Sequence, residues 1–203
     1  MKGCTFSDNA WGLSVLFGDA IVQDCAFARN GKPLYVDGNA TLTSSTFEDG
    51  GSVSLSGGRS TVTDCRFVGN SVHLYLYGSA VVDISLFIGS INGAVGGGFG
   101  SALFRNCAFI NNAPRSRALS WGYRNLYVLN CTIVGNGVDV FRGAGGMGTN
   151  DEYTSAQVLN SIMSGNGDGY EQTREEDQIK VYGTDGRVAT SFGFERLGDR
   201  RAA

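Results

Sequence analysis

The chain has 203 residues, a net charge of −3 and a pI near 5.1, with 31 glycines against 2 prolines. An acidic balance without a basic run argues against nucleic acid as a partner and against attachment to an anionic membrane surface. No apolar run reaches the ~20 residues that a membrane helix requires, so no membrane insertion by this segment is expected, and the opening Met1-Lys-Gly-Cys-Thr-Phe6 lacks the apolar stretch of a signal peptide.

The first element is half of a repeat. Cys4-Thr-Phe-Ser-Asp-Asn9 is the second part of a unit that then recurs over residues 20–30, 40–50, 60–70, 80–90, 102–112, 126–136 and 156–166. A short, fixed period means stacked coils rather than a conventional core. The first position of the unit is Ala20, Ala40, Ser60, Ala80, Ala102, Leu126 and Ala156, and two residues on come Val22, Leu42, Val62, Val82, Phe104, Val128 and Val158. That alternation is the mark of a strand with one buried face. The phase then slips at Asp24, Ser44, Asp64, Ile84, Asn106, Asn130 and Asn160. Asn and Asp tolerate left-handed backbone, so a tight corner is predicted there, with Ile84 as the exception. Beyond it a second strand carries Cys25, Ser45, Cys65, Ser85, Cys107, Cys131 and Ser161, and then Phe27, Phe47, Phe67, Phe87, Phe109, Ile133 and Met163.

A third side precedes each unit. Leu34-Tyr-Val36 and Val72-His-Leu-Tyr-Leu76 alternate, and a glycine marks the next corner at Gly18, Gly38, Gly58, Gly78 and Gly100. Three short strands per coil, all running the same way round, give an all-β, right-handed, single-stranded parallel β-helix of about eight coils, spaced by the ordinary ~4.8 Å between strands. Residues 1–203 are expected to be one such domain. Met1 falls inside a coil, so a fragment of a longer protein is expected, with further coils of the parent chain as its natural neighbours, and an isolated segment that either associates end to end or is less stable than an N-terminally extended version.

All five cysteines share one column with serine, so they read as small side chains in a narrow part of the core. Parallel side chains in one column do not present sulfurs to each other as a disulfide requires, and no C-x-x-C pair signals a metal. No metal or cofactor is expected. The interval from corner glycine to this column is constant, whereas the return interval grows through inserts at 90–97, 112–117 and 137–153. Solenoids carry function on such variable loops. The last insert contains Gly143-Ala-Gly-Gly-Met-Gly148, formally G-x-G-x-x-G, but it precedes another repeat rather than opening a helix, so it reads as glycine-rich coil. Further on, 167–180 is a charged loop insert, 178–182 and 187–192 read as strands of another coil, and 196–203 is a frayed tail.

The repeated Asp/Asn-Cys-x-Phe-x-x-Asn unit resembles the repeats of right-handed β-helix proteins of the pectin-lyase-like superfamily. Asn130-Cys-Thr-Ile-Val-Gly-Asn136 and Asn160-Ser-Ile-Met-Ser-Gly-Asn166 resemble the terminal repeats of bacterial secreted or surface proteins of the choice-of-anchor and polymorphic outer-membrane types. The resemblance implies a secreted or cell-surface location, and a scaffold that hosts lyases, hydrolases, adhesins and spacers alike.

Polysaccharide lyase or glycoside hydrolase chemistry, on acidic polysaccharide, is therefore one expectation. It needs clustered carboxylates, whereas Asp24 and Asp64 sit in a corner column two coils apart. His73 is the only histidine, and a lone histidine more often has a local role than a catalytic one. No catalytic residue is assigned. The preferred expectation is a non-catalytic module that binds glycan or mediates adhesion. If Val72, Leu74 and Leu76 face inward, then His73, Tyr75 and Tyr77 face outward, with Tyr35 two coils before Tyr75, and Trp121 and Tyr123 two coils beyond. Tyr35, Tyr75, Tyr77, Trp121 and Tyr123 are thus the candidate ligand-binding residues, because exposed rings stack on the C–H faces of sugars. A rigid spacer with no ligand is the remaining alternative.

Overall fold

The alternating units fold as strands of three long parallel sheets, and the chain passes from one sheet to the next in strict rotation. A computed structural model describes residues 1–112, 118–122, 124–137, 147–149, 156–164, 166 and 179–180. Sheet I contains β1 (Thr5–Ser7), β4 (Ala26–Ala28), β7 (Thr46–Glu48), β10 (Arg66–Val68), β13 (Leu86–Ile88), β16 (Ala108–Ile110), β19 (Thr132–Val134) and β22 (Ile162–Ser164). Sheet II contains β2 (Trp11–Val15), β5 (Lys32–Val36), β8 (Val53–Leu55), β11 (Leu74–Leu76), β14 (Val95–Gly97), β17 (Leu119–Trp121), β20 (Met147–Thr149) and β23 (Ile179–Lys180). Sheet III contains β3 (Ala20–Gln23), β6 (Ala40–Thr43), β9 (Arg59–Thr63), β12 (Ser79–Asp83), β15 (Ala102–Arg105), β18 (Leu126–Leu129) and β21 (Ala156–Leu159).

The protein is an all-β parallel solenoid. β1 to β18 make about six complete turns, slightly fewer than the eight expected, and β19 to β23 continue the sheets past them. Met147–Thr149, the end of the G-x-G-x-x-G stretch, is strand, as the coil reading requires, and Ile179–Lys180 pairs beside it. The remainder of the charged 167–180 segment, the 187–192 strand and the 196–203 tail lie outside the described residues. Among the described residues no helix is long and apolar enough to cross a membrane.

The corner between sheets III and I has the predicted left-handed geometry at all seven positions, from φ 47° at Ser44 to 55° at Asn106. Ile84 adopts it too, at φ 49°, although a β-branched side chain is strained there. The cysteine/serine column closes this corner as well as filling the core. The hydroxyls of Ser45 and Ser85 each donate to the carbonyl two residues back at 2.8 Å, and accept the backbone N–H of Cys25 and Cys65 from the preceding coil. All five cysteines are free thiols, and burial pushes the Cys65 thiol up to about 11.

Inside sheet I the rings of Phe6, Phe27, Phe47, Phe67, Phe87 and Phe109 form one stack, with successive centroids 4.8–5.0 Å apart and planes within 10°. Every ring from Phe27 onward is buried. The spacing equals the strand ladder, so register alone aligns the rings.

An asparagine ladder follows the sheet I strands, interrupted by Gly50 after β7 and Ser90 after β13. Asn30, Asn70, Asn112, Asn136 and Asn166 each donate to a carbonyl of the preceding coil, and their Oδ1 atoms accept that coil's backbone N–H. Ser90 occupies this column between Asn70 and Asn112 but is too short, and its buried Oγ has no hydrogen-bond partner. His73 spans the gap. Its Nδ1 accepts from Asn70 Nδ2 at 3.1 Å and its Nε2 donates to Asn112 Oδ1 at 3.0 Å, a tautomer set by these partners. His73 is therefore interior, not outward as the alternation predicted. Residues 71–73 form a bend, so the strand phase begins only at Leu74, and Val72, His73 and Leu74 are all buried. Desolvation lowers the His73 pKa to about 4, keeping the ring neutral.

Candidate functional site

Sheet II builds the candidate face. Its inward residues are Leu34 and Val36, Val53 and Leu55, Leu74 and Leu76, Val95 and Gly97, Leu119 and Trp121. The residues between them point outward in one column: Ser14, Tyr35, Ser54, Tyr75, Gly96 and Ser120. Where each strand ends, the corner towards sheet III carries Asp37, Ser56, Tyr77 and Gly98 in successive coils, and Phe99 follows Gly98.

Tyr75 and Tyr77 lie side by side. Their centroids are 6.3 Å apart with planes 26° from parallel. Phe99 extends the row from the next coil, 6.4 Å from Tyr77 and 18° from parallel. Tyr77 is 41% exposed and Phe99 66%. The Tyr75 ring leans along the solenoid over Gly96, where a Cβ would stand only 3.1 Å from its Cε1, so this ring lies over a position that has no side chain. Tyr35 lies on the same outward column two coils earlier, separated from Tyr75 by Ser54. Ser56 Oγ donates to the Tyr35 phenol at 3.1 Å.

Trp121 does not belong to this face. It is 1% exposed, points inward, donates from Nε1 to the Gly100 carbonyl at 3.0 Å, and packs edge-on against Phe104 at 6.3 Å. The cause is one coil away. Gly97 stands before Trp121 in the inward column, and a Cβ there would lie 2.7 Å from the indole Cζ3. The glycine thus leaves the space that the indole fills. Tyr123 lies outside the described residues.

Phe99 was not among the residues picked from the sequence. Its signal was present, an aromatic residue between Gly98 and Gly100 at a corner whose counterpart one coil earlier is Tyr77-Gly78. It was obscured because Gly96-Gly-Gly98 does not read as strand.

The groups with displaced titration lie away from this face and have structural causes. The hydrogen bond from Arg29 holds Asp8 below the usual carboxylate range, and the backbone N–H of Asn39 does the same for Asp19. Among the described residues no three His, Cys, Asp or Glu are grouped to hold a metal ion. What the face offers chemically is ring stacking and hydroxyl hydrogen bonding on a rigid, flat backbone. Comparison of the chain with family models, with curated proteins and with solved structures finds no match.

Proposed function

We propose that this chain is a non-catalytic β-solenoid module that binds glycan through the outward face of sheet II. One observation carries the reading: the rings of half-buried Tyr75 and exposed Tyr77 and Phe99 form one near-parallel row, with Gly96 beneath the Tyr75 ring. Stacking on such rings suits the apolar faces of sugars, while the phenols and the Ser54 and Ser56 hydroxyls suit their polar edges. Parallel ladders on both sides fix the Tyr75 backbone, so little ordering entropy is lost on binding. The resemblance of the repeats to pectin-lyase-like surface proteins supports an extracellular or cell-surface setting, where polysaccharide is at hand.

Affinity electrophoresis against a panel of soluble neutral and acidic polysaccharides tests the reading. Retardation by at least one of them, lost on Tyr77→Ala with the melting temperature unchanged, is expected. Migration unaffected by every polysaccharide would refute it and favour a spacer.

A further inference from the structure

Resting on that reading, we infer that the ligand is a linear, uncharged polysaccharide lying along the solenoid axis across several coils, rather than a terminal sugar or an acidic chain. The placement of the rings is the first ground. Tyr35 and Tyr75 share one outward column two coils apart, and Phe99 stands one coil beyond Tyr75. With ~4.8 Å per coil, the ring-bearing positions extend over about 15 Å along the axis. One sugar ring cannot touch both ends of that row, whereas a chain parallel to the axis can. Along this stretch the column holds Ser54, Tyr75 and Gly96, so the only bulky side chain on the path is the Tyr75 ring itself, which leans in the axial direction.

Charge is the second ground. The outward column from Ser14 to Ser120 contains no carboxylate, ammonium, guanidinium or imidazole, and the corner column adds a single charged side chain, Asp37. A polyanion needs guanidinium or ammonium partners, and here it would meet a carboxylate. The exposed cations nearest this face are Lys32, which opens β5 and lies over the Trp11 ring, and, on the sheet III side of the corner, Arg59 opening β9 and Arg124 beyond Gly122. These are the residues an acidic chain would have to use, which makes them a control.

The test is titration of the protein with neutral β-linked gluco-oligosaccharides of increasing length, and with oligogalacturonides, at low and high salt. Affinity for the neutral series is expected to rise by at least about tenfold from the monosaccharide to the hexasaccharide, as contacts join along one chain, and to be insensitive to salt. Tyr35→Ala should weaken binding of the hexasaccharide while leaving that of the disaccharide unchanged. Equal affinity for monosaccharide and hexasaccharide would overturn the axial chain. Binding of oligogalacturonides alone, abolished by salt or by Arg59→Ala with Arg124→Ala, would overturn the uncharged ligand yet leave a glycan-binding module. Binding of neither series, together with no retardation by any polysaccharide of the wider panel, would remove the glycan reading itself.

Discussion

Acidification should destabilise this protein through His73 before Asp8 and Asp19 lose their charge. In the unfolded chain the imidazole takes up its proton near 6.5, but in the folded chain only near 4, because it is fully buried between Asn70, Asn112 and the rings of Phe67 and Phe87. Between those values the unfolded state binds more protons, so lowering the pH favours it. The contribution is complete above pH 6.5 and is lost as the pH falls through the window down to 4. A displacement of that size corresponds to about 3 kcal/mol at 1.36 kcal/mol per unit. Asp8 and Asp19, whose folded values lie below the ordinary carboxylate value, lose their contributions only in more acid solution. The assay is urea denaturation followed by tryptophan fluorescence at several pH values between 7 and 4.5, on the wild type and on His73→Gln. The variant should be less stable at pH 7 by about 1–3 kcal/mol, for a disrupted buried hydrogen bond, and should show a distinctly shallower pH slope. Equal slopes for the two proteins would refute the buried, neutral bridge.

Phe67→Ala removes a ring stacked at 4.9 and 4.8 Å between Phe47 and Phe87. A loss of about 3–5 kcal/mol is expected in the same denaturation assay, and a loss below about 1 kcal/mol would place the ring outside the core. Ile84→Asn replaces an exposed β-branched residue at positive φ with one that tolerates it, so stability should rise by about 1 kcal/mol, seen as a higher urea midpoint. Trp121→Ala should cost about 3–5 kcal/mol and lower the melting temperature, while the folded fraction still binds the polysaccharide that retards the wild type. A Trp121→Ala protein of unchanged stability would contradict the inward indole.

Sheets I and III were legible because each coil repeats the same residue type at the same place. Phe27, Phe47 and Phe67 announce a stack, and Asp24, Asp64 and Asn106 announce a left-handed corner. Sheet II was harder to read. Its strands are short, and their phase depends on where the preceding bend ends, so His73 was assigned to the wrong face by extending the alternation of Leu74 and Leu76 backwards. Trp121 was misplaced for a different reason. Its environment is set by Gly97 in the neighbouring coil, a relation between residues distant in sequence that local alternation cannot show. Phe99 was hidden in a glycine turn. The rescue of the asparagine ladder by His73 depends likewise on the short side chain of Ser90, in a column that, Gly50 apart, otherwise holds asparagine. Tyr75 and Tyr77 are legible because Leu74-Tyr-Leu76 alternates cleanly and Tyr77 continues its phase.

The central claim is that the Tyr75–Tyr77–Phe99 row is a binding surface and not packing. The most direct measurement is isothermal titration of the wild type and of the Tyr75→Ala/Tyr77→Ala double variant with the polysaccharide that retards the wild type most strongly. Each aromatic stacking contact contributes on the order of 1 kcal/mol, so the double variant should bind roughly tenfold or more weakly, with an unchanged far-UV spectrum and melting temperature. Undiminished affinity in a folded double variant would contradict the claim.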